Sequence, residues 1–349
     1  MRHSTRAARF IIACAMAGLS AFSAHSQQLD RSERRALVRA CRADVARLCP
    51  GIRPGEGALG ECLRENSSAL SEGCRTTIAS ALAGSRPQTA GQETLPGDTR
   101  VLRDVAYGSD PKQRMDIYVP AGAAKAPVIF MVHGGAWAIG SKSAARVVDS
   151  KVAHWLPKGY IFISVDNRLL PEADPVEQAQ DVAHALAAAQ QKVVSLGGDP
   201  RRFVLMGHSA GAHLVTLLSS DPSIASRSGA LPWRGVVALD SAVYDVVAMM
   251  RGPHLHLYDK AFGRDPAFWR RASPSDQLQR EAPPMLLVCS SRRAQSCDQA
   301  RAFDRKAGTV GVQTEVLPLA KSHGAINEEL GEPGPYTDAV DRFIGGLVK

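Results

Sequence analysis

The chain has 349 residues, 45% of them hydrophobic, and a formal net charge of +8 at pH 7. These values are typical of a globular protein with one large domain and a small additional part. No run reaches the roughly 20 apolar residues that a membrane span needs, so no transmembrane segment is expected. No basic run indicates nucleic-acid binding.

The first 26 residues have the pattern of a secretory signal peptide. Three arginines precede the apolar run FIIACAMAGLSAF, and the small residues of AHS place cleavage after Ser26. A lipoprotein signal at Cys14 is the alternative, but too little apolar sequence precedes that cysteine. The sequence therefore predicts a secreted or periplasmic protein. Removal of residues 1–26 would take away three arginines and no acid, which lowers the formal charge to +5.

Residues 27–84 contain four of the six cysteines that follow the signal, and the sequence around them is typical of short helices. An even number of cysteines in an exported chain indicates disulfides. Of the three pairings, Cys41–Cys74 with Cys49–Cys62 is favoured and would nest one loop inside another. Zinc binding is the alternative, although the spacings are unlike CxxC. The prediction is a small disulfide-linked helical module.

The same stretch resembles the cysteine-rich repeat named after a Golgi apparatus glycoprotein, through CRADVARLCPG, GEGALGECLREN and LSEGCRTTI. The resemblance implies a binding or spacer role without chemistry, and it leaves the partner of the module open. Residues 85–99, SRPQTAGQETLPGDT, are rich in Pro, Gly, Thr and Gln, which predicts a flexible linker.

From residue 100 to residue 349 apolar strands alternate with helical runs. This alternation predicts an α/β fold in which a mostly parallel sheet is covered by helices on both faces. The first two strands are joined by SDPKQ and predict an antiparallel hairpin at one edge. The predicted strands are VLRDVAYG, RMDIYVP, PVIFMVH, YIFISVD, RFVLMGH, GVVALD, PMLLVCS and QTEVLPL.

The pentapeptide Gly207-His208-Ser209-Ala210-Gly211 follows the apolar run RFVLM and opens a helical run. This G-x-S-x-G in a strand-to-helix context predicts a sharp turn that exposes a nucleophilic serine. Glycines two residues before and after the serine leave room for the neighbouring chain. We therefore predict that Ser209 is a catalytic nucleophile, the alternative being an ordinary glycine-rich turn.

A second motif, HGGAW, ends the strand PVIFMVH. Acyl transfer develops a negative charge on oxygen and needs N–H donors that are fixed beforehand. The amides of Gly134 and Gly135 are candidate donors, with that of Ala210 as the third. We expect His133 to order this loop by hydrogen bonding rather than to act as a base.

HGGAW, VDNRLLPEADPVEQAQDVAHAL, GHSAG and SPSDQLQREAPPMLLV together resemble the α/β-hydrolase fold. More closely, they resemble its hormone-sensitive-lipase-like branch and its feruloyl-esterase or kynurenine-formamidase-like branch. The resemblance covers residues from about 100 to 347. It implies carboxyl-ester chemistry, with Ser209 as nucleophile and Gly134, Gly135 and Ala210 as the oxyanion hole. It does not identify the substrate.

His323 is the predicted catalytic base. The order along this fold is serine, acid, histidine, and His323 in KSHGAIN follows the last predicted strand, where the family carries its base. His254 and His256 lie between strands, in a segment that predicts a cap or a pocket wall. A surface-loop histidine is the alternative interpretation of His323.

The catalytic acid is harder to assign than the base. Alignment with the family places Arg293 where the family has its aspartate, and arginine cannot accept a proton. Asp240 ends the strand GVVALD, one strand earlier, and adjacent parallel strands lie about 4.8 Å apart. A carboxylate at that edge of the sheet can therefore serve the same imidazole. We favour Asp240, with Asp298 as the alternative acid and a missing acid as the third possibility. Asp298 also fits a helix N-terminal position.

In the loop CSSRRAQSC, Cys289 and Cys297 are expected to close a short disulfide ring after export. The leading hypothesis is an exported serine hydrolase that cleaves short- to medium-chain carboxylic esters of small molecules through an acyl-enzyme. No metal and no organic cofactor is implied. The alternatives are an amidase such as an arylformamidase, and a non-catalytic binding protein that keeps the fold.

Overall fold

The computed structural model describes residues 31–49, 62–63, 66, 69–77 and 98–349, with side chains from residue 39 onward. The chain divides into two compact units, Met1–Ala90 and Gly91–Lys349. The predicted signal peptide lies outside the described residues, as does the predicted linker up to residue 97. None of the described helices combines the length and the apolar character that a bilayer crossing requires.

The first unit contains helix α1 (Arg31–Leu48) and a second helical stretch at residues 72–77. Disulfides Cys41–Cys74 and Cys49–Cys62 crosslink it in the nested pairing favoured from the sequence. All four sulfurs are thus engaged, so none remains to ligate zinc. Asp44 adds a buried polar link, because its carboxylate accepts hydrogen bonds from the amide and the hydroxyl of Ser71 at 3.1 and 2.6 Å.

The second unit contains an eight-stranded sheet in the order β1-β2-β4-β3-β5-β6-β7-β8. The β1–β2 and β2–β4 pairs are antiparallel, and all the others are parallel. The predicted edge hairpin and the mostly parallel sheet are therefore both present. The strands are β1 (Arg100–Ala106), β2 (Arg114–Val119), β3 (Ala126–Val132), β4 (Ile161–Val165), β5 (Gly198–His208), β6 (Gly235–Leu239), β7 (Met285–Ser290) and β8 (Thr314–Leu319).

Helices follow the strands along the chain and cover the sheet. Four short helices form an insertion between β6 and β7. The helices of this unit are α2 (Ala145–Trp155), α3 (Pro175–Val194), α4 (Ala210–Ser220), α5 (Ser223–Arg227), α6 (Val246–Arg251), α7 (His256–Phe262), α8 (Pro266–Arg271), α9 (Pro274–Gln277), α10 (Ser296–Val310), α11 (His323–Glu328) and α12 (Pro335–Leu347).

Two apolar clusters of buried residues lie on opposite faces of the sheet. The alternation of side chains along β3 shows this, because Phe130 and Val132 belong to one cluster while Ile129 and Met131 belong to the other. All residues of β4, β6 and β7 are buried. A sheet buried on both faces explains why these strands read as continuous apolar runs. The α/β-hydrolase fold predicted from the sequence is confirmed.

Candidate active site

Ser209 lies at the turn between β5 and α4 and has the unusual backbone angles φ 54° and ψ −115°. The neighbouring chain passes so closely that side chains would not fit beside the serine. A Cβ atom on Gly207 would lie 2.4 Å from the Gly211 carbonyl oxygen, and one on Gly211 would lie 2.3 Å from the Val132 carbonyl oxygen. This geometry is that of a nucleophile elbow, whose strain persists because the surrounding packing fixes it.

The loop after β3 faces the elbow directly. A Cβ atom on Gly134 would lie 3.1 Å from Cβ of Ser209, so the main chain of this loop borders the serine. In residues 98–349, no backbone hydrogen bond outside helices and strands uses the amide of Gly134 or Gly135. Ala210 is the first residue of α4, where an amide has no intrahelical acceptor. All three amides are therefore free of backbone acceptors beside the serine.

Hydrogen bonds within the loop and to the neighbouring helices hold this glycine loop in place. His133 contacts the carbonyl oxygen of Gly134 through Nδ1 at 2.8 Å, which agrees with the ordering role expected from the sequence. Trp137 is buried and donates from Nε1 to Nδ1 of His213 at 3.2 Å. Gln178 donates to the Trp137 carbonyl oxygen at 2.9 Å. The loop is thus anchored to α3 and α4 before any substrate is present.

His323 is the first residue of α11, just after β8, and its Nδ1 lies 2.5 Å from Oδ2 of Asp240. Asp240 follows the last residue of β6 and has a positive φ of 47°. Its amide donates to the Val288 carbonyl oxygen of the neighbouring strand at 2.8 Å. The structure therefore brings together the histidine and the carboxylate that the sequence singled out, and the carboxylate belongs to the strand before the one used by the family.

The Asp240 carboxylate is completely buried, yet both of its oxygens have donors. Oδ1 accepts hydrogen bonds from the Ser290 amide at 2.9 Å and from the Ser296 hydroxyl. Oδ2 contacts His323 and also Nη1 of Arg293, at 3.1 Å. Burial alone would raise the pKa of Asp240, but the hydrogen bond from His323 and the charge of Arg293 outweigh it and hold that pKa well below its usual value. The group is an anion at neutral pH.

His208, the first of the two variable residues in the serine motif, packs against His323. The rings of His208 and His323 have centroids 4.5 Å apart, and Nε2 of His208 lies 3.0 Å from the His323 carbonyl oxygen. Burial first, and then the proximity of His323, hold the pKa of His208 well below its usual value. His208 is therefore neutral. Because it directly precedes Ser209, its contact with His323 fixes the position of that histidine relative to the serine.

A buried lysine anchors the other end of α11. Lys151 on α2 is completely buried and donates from Nζ to the Asn327 carbonyl oxygen at 2.6 Å. Asn327 in turn donates to the Arg146 carbonyl oxygen at 2.8 Å. Among the described residues, no carboxylate forms an ion pair with Lys151. Burial lowers the pKa of Lys151 to about 7, so its amine loses its charge far below the usual pH.

We expect Lys151→Met to stabilise the protein at pH 7 by about 2 kcal/mol, because a buried cation is replaced by an apolar chain of similar length. Between pH 7 and 10.5 the unfolded chain binds a proton at this lysine that the folded chain does not, so wild-type stability should rise with pH. The variant should lack this rise. Urea denaturation at pH 7 and at pH 10 checks both effects, and a variant less stable than wild type at pH 7 would contradict the prediction.

Four other acidic or histidine side chains have partners away from His323. Asp298, the alternative acid, has a side chain that is 81% exposed, and it pairs with Arg301 at 3.3 Å rather than with His323. Asp245 accepts a hydrogen bond from the Ala248 amide at 2.8 Å and so caps α6. His254 and His256 both contact Asp259 on the surface of the short-helix insertion.

Sequence reasoning missed the donors around the carboxylate. Ser290 and Ser296 lie inside the loop CSSRRAQSC, for which the sequence predicted only a disulfide ring. The signal was available, since a carboxylate placed at a buried strand end needs hydrogen-bond donors, and serine and arginine are the nearest ones.

In the described part of the chain, no cluster of three or more His, Cys, Asp or Glu residues is suited to hold a metal ion.

Two family models match this chain. One, described as BD-FAE, matches residues 115–304, a range that includes the strands that carry Ser209 and Asp240. The other, described as a cysteine rich repeat, matches residues 24–77, the stretch that contains the two nested disulfides.

Curated relatives with similar sequences are named as esterases. A probable isoprenylcysteine alpha-carbonyl methylesterase from Oryza sativa subsp. japonica is 34% identical over 136 residues, 38% of this chain and 32% of the relative. Esterase LipC from Mycobacterium tuberculosis is 29% identical over 261 residues, 69% of this chain and 64% of the relative. The chain therefore spans between about a third and somewhat under two thirds of these relatives.

Solved structures share the fold at low sequence identity. A truncated carbohydrate esterase from gut microbiota superposes with a TM-score of 0.61 at 20% identity, covering 72% of this chain and 97% of that one. Esterase B from Lactobacillus rhamnosis gives a TM-score of 0.60 at 20% identity and covers 78% and 96% of the two chains. At this identity the likeness concerns the fold alone.

Proposed function

Because this chain belongs to the BD-FAE family, we propose that it is an exported serine hydrolase that cleaves short- to medium-chain carboxylic esters. The observation that carries the proposal is the 2.5 Å contact between His323 and the ionised Asp240, at the same edge of the sheet as the serine elbow. The names of the curated relatives support ester hydrolysis as the reaction. The three disulfides and the N-terminal sequence support export.

In the proposed reaction, Asp240 keeps the proton of His323 on Nδ1, which leaves the lone pair of Nε2 free to accept the Ser209 hydroxyl proton. The serine oxygen attacks the ester carbonyl, and the amides of Gly134, Gly135 and Ala210 receive the developing oxyanion. Collapse of the tetrahedral intermediate returns the proton from Nε2 to the leaving alkoxide and releases the alcohol.

A water molecule then attacks the acyl-enzyme, with His323 again as base, and the carboxylic acid leaves as Ser209 regains its proton. These steps need no group beyond the chain and water. A non-catalytic binding protein is less favoured, because Asp240 contacts His323 although Arg293 occupies the family's acid position.

Hydrolysis of p-nitrophenyl esters of rising acyl length by the mature protein tests the proposal. We expect turnover to be highest for short and medium chains, and a fluorophosphonate probe to label the wild type but not Ser209→Ala. An unlabelled wild type would contradict the proposal in favour of a binding protein. Faster cleavage of aryl formamides than of any ester would favour the amidase alternative. N-terminal sequencing of the exported product, expected to begin at Gln27, tests export.

A further inference from the structure

The loop between β7 and α10 binds the Asp240 carboxylate. It is closed into a ring by the Cys289–Cys297 disulfide, at a sequence separation of 8. Three donors from within this ring reach Asp240: the Ser290 amide, the Ser296 hydroxyl and the Arg293 guanidinium. A ring this short limits how far any of the three can move relative to β7 and α10. The loop that lacks the acid thus positions the acid of the neighbouring strand.

Arg293 is the member of this ring that touches both partners of the catalytic pair. Its Nη2 donates to the Ser241 carbonyl oxygen at 2.8 Å, which fixes the guanidinium plane. Its Nη1 lies 3.1 Å from Oδ2 of Asp240 and 2.9 Å from Nδ1 of His323. The arginine side chain is 30% exposed, so its charge is only partly screened by water.

The two contacts at Nδ1 of His323 compete, because this nitrogen can either donate a hydrogen bond or accept one. If it accepted from Arg293, the ring proton would lie on Nε2 and the imidazole could not take a proton from serine. At 2.5 Å, however, an anionic Asp240 oxygen facing an unprotonated Nδ1 would set two lone pairs against each other. The proton therefore lies on Nδ1, and Arg293 faces it as a neighbouring positive charge.

The imidazole thus has one anionic and one cationic neighbour. In residues 98–349, the only ionised groups in direct contact with the His323 ring are Asp240 and Arg293, since the adjoining His208 is neutral.

We propose that Arg293 is a positioning residue: its guanidinium, fixed by the Ser241 carbonyl oxygen, holds the Asp240 carboxylate against Nδ1 of His323 and so maintains the imidazole tautomer that serves Ser209. The inference rests on the function proposed above. A guanidinium never loses its charge in a protein, so it can hold the carboxylate at every working pH.

The test is a pair of matched substitutions on one loop. Arg293→Gln removes the charge at the site, and Arg292→Gln makes the same change on the adjacent arginine, whose side chain is exposed. We expect kcat of Arg293→Gln to fall about tenfold with KM unchanged, and Arg292→Gln to keep the wild-type kcat. Arg293→Lys, which restores a cation, should recover most of the lost kcat.

The split between kcat and KM separates this role from a general loss of fold, which thermal denaturation of each variant measures. An unchanged kcat in Arg293→Gln, or no recovery of kcat in Arg293→Lys, in a protein whose wild type hydrolyses esters through Ser209, would overturn this inference and leave the proposed function standing. A wild type without Ser209-dependent hydrolysis would overturn the proposed function instead. If Arg293→Gln fails to fold, Arg293→Met provides the same neutral comparison.

Discussion

Asp240→Asn should reduce kcat for ester hydrolysis by about 10⁴, the loss known for removal of the acid from a serine-protease triad. The Ser290 amide is a fixed donor to Oδ1, so the carbonyl oxygen of an asparagine would take that position. Its NH₂ group would then face Nδ1 of His323 and donate to it. The imidazole would be held with its proton on Nε2, where it cannot accept the serine proton. Initial rates on p-nitrophenyl butyrate at pH 8 measure the loss.

Asp298→Asn is the matched control, because it makes the same chemical change on the carboxylate that the sequence offered as the alternative. Asp298 is exposed and pairs with Arg301, so its replacement should change kcat by less than about twofold. The reverse ranking of the two variants would refute the assignment of Asp240 as the acid. Thermal denaturation of both proteins separates a loss of catalysis from a loss of fold.

His323→Ala should reduce kcat by a factor of about 10⁶, which is the size of the loss when the base is removed from a serine hydrolase triad. Without the imidazole no group beside Ser209 takes its proton, and only the oxyanion hole and substrate binding still contribute. The double variant His323→Ala with Asp240→Asn should be no slower than His323→Ala alone, because the carboxylate acts through the imidazole. Single-turnover rates on an activated ester, compared across the four proteins, provide the cycle.

His256→Ala is the control for this second experiment, since its side chain is exposed on the short-helix insertion and contacts Asp259 there. It should leave kcat within about twofold of wild type. A double variant that is substantially slower than His323→Ala would show that Asp240 contributes by a route that does not involve the imidazole. A large loss of kcat in His256→Ala would indicate that the catalytic base lies in the short-helix insertion instead.

The parts of the site that were predictable from the sequence are those set by local chain geometry. The serine elbow needs a strand, a tight turn with flanking glycines and a helix, all within a dozen residues, so its pattern is visible in the letters around Ser209. The glycines at 134 and 135 follow a strand in the same way. His323 could be selected by its order along the chain, because each parallel strand ends at the same edge of the sheet.

The contacts of the acid depend on residues far apart in sequence, and this limits what the sequence can predict. Asp240 could be proposed because neighbouring strands are close, but its distance to His323 depends on how β6, β7 and β8 are staggered. The position of Arg293 between them depends on the conformation of a loop with a left-handed residue at Gln295. Loop conformations of this kind follow from tertiary contacts rather than from composition.

The fold itself was more accessible, for physical reasons that differ between elements. Strands such as β4 and β7 are buried on both faces and therefore appear as unbroken apolar runs. Helix α3 begins with a capping box at Asp174 and Glu177 and keeps its apolar spacing for twenty residues. The insertion at α6 to α9 consists of helices of four to seven residues, too short for a periodic pattern to emerge.

The distribution of the three disulfides has a practical consequence. Each of them joins cysteines of the same unit, two within residues 1–90 and one within residues 91–349. One protease cut between Thr77 and Asp98 would consequently separate the chain into two fragments on a non-reducing gel, and each fragment would retain its own crosslinks. Controlled digestion of the intact protein could thus yield the cysteine-rich part for ligand screening without reduction or refolding.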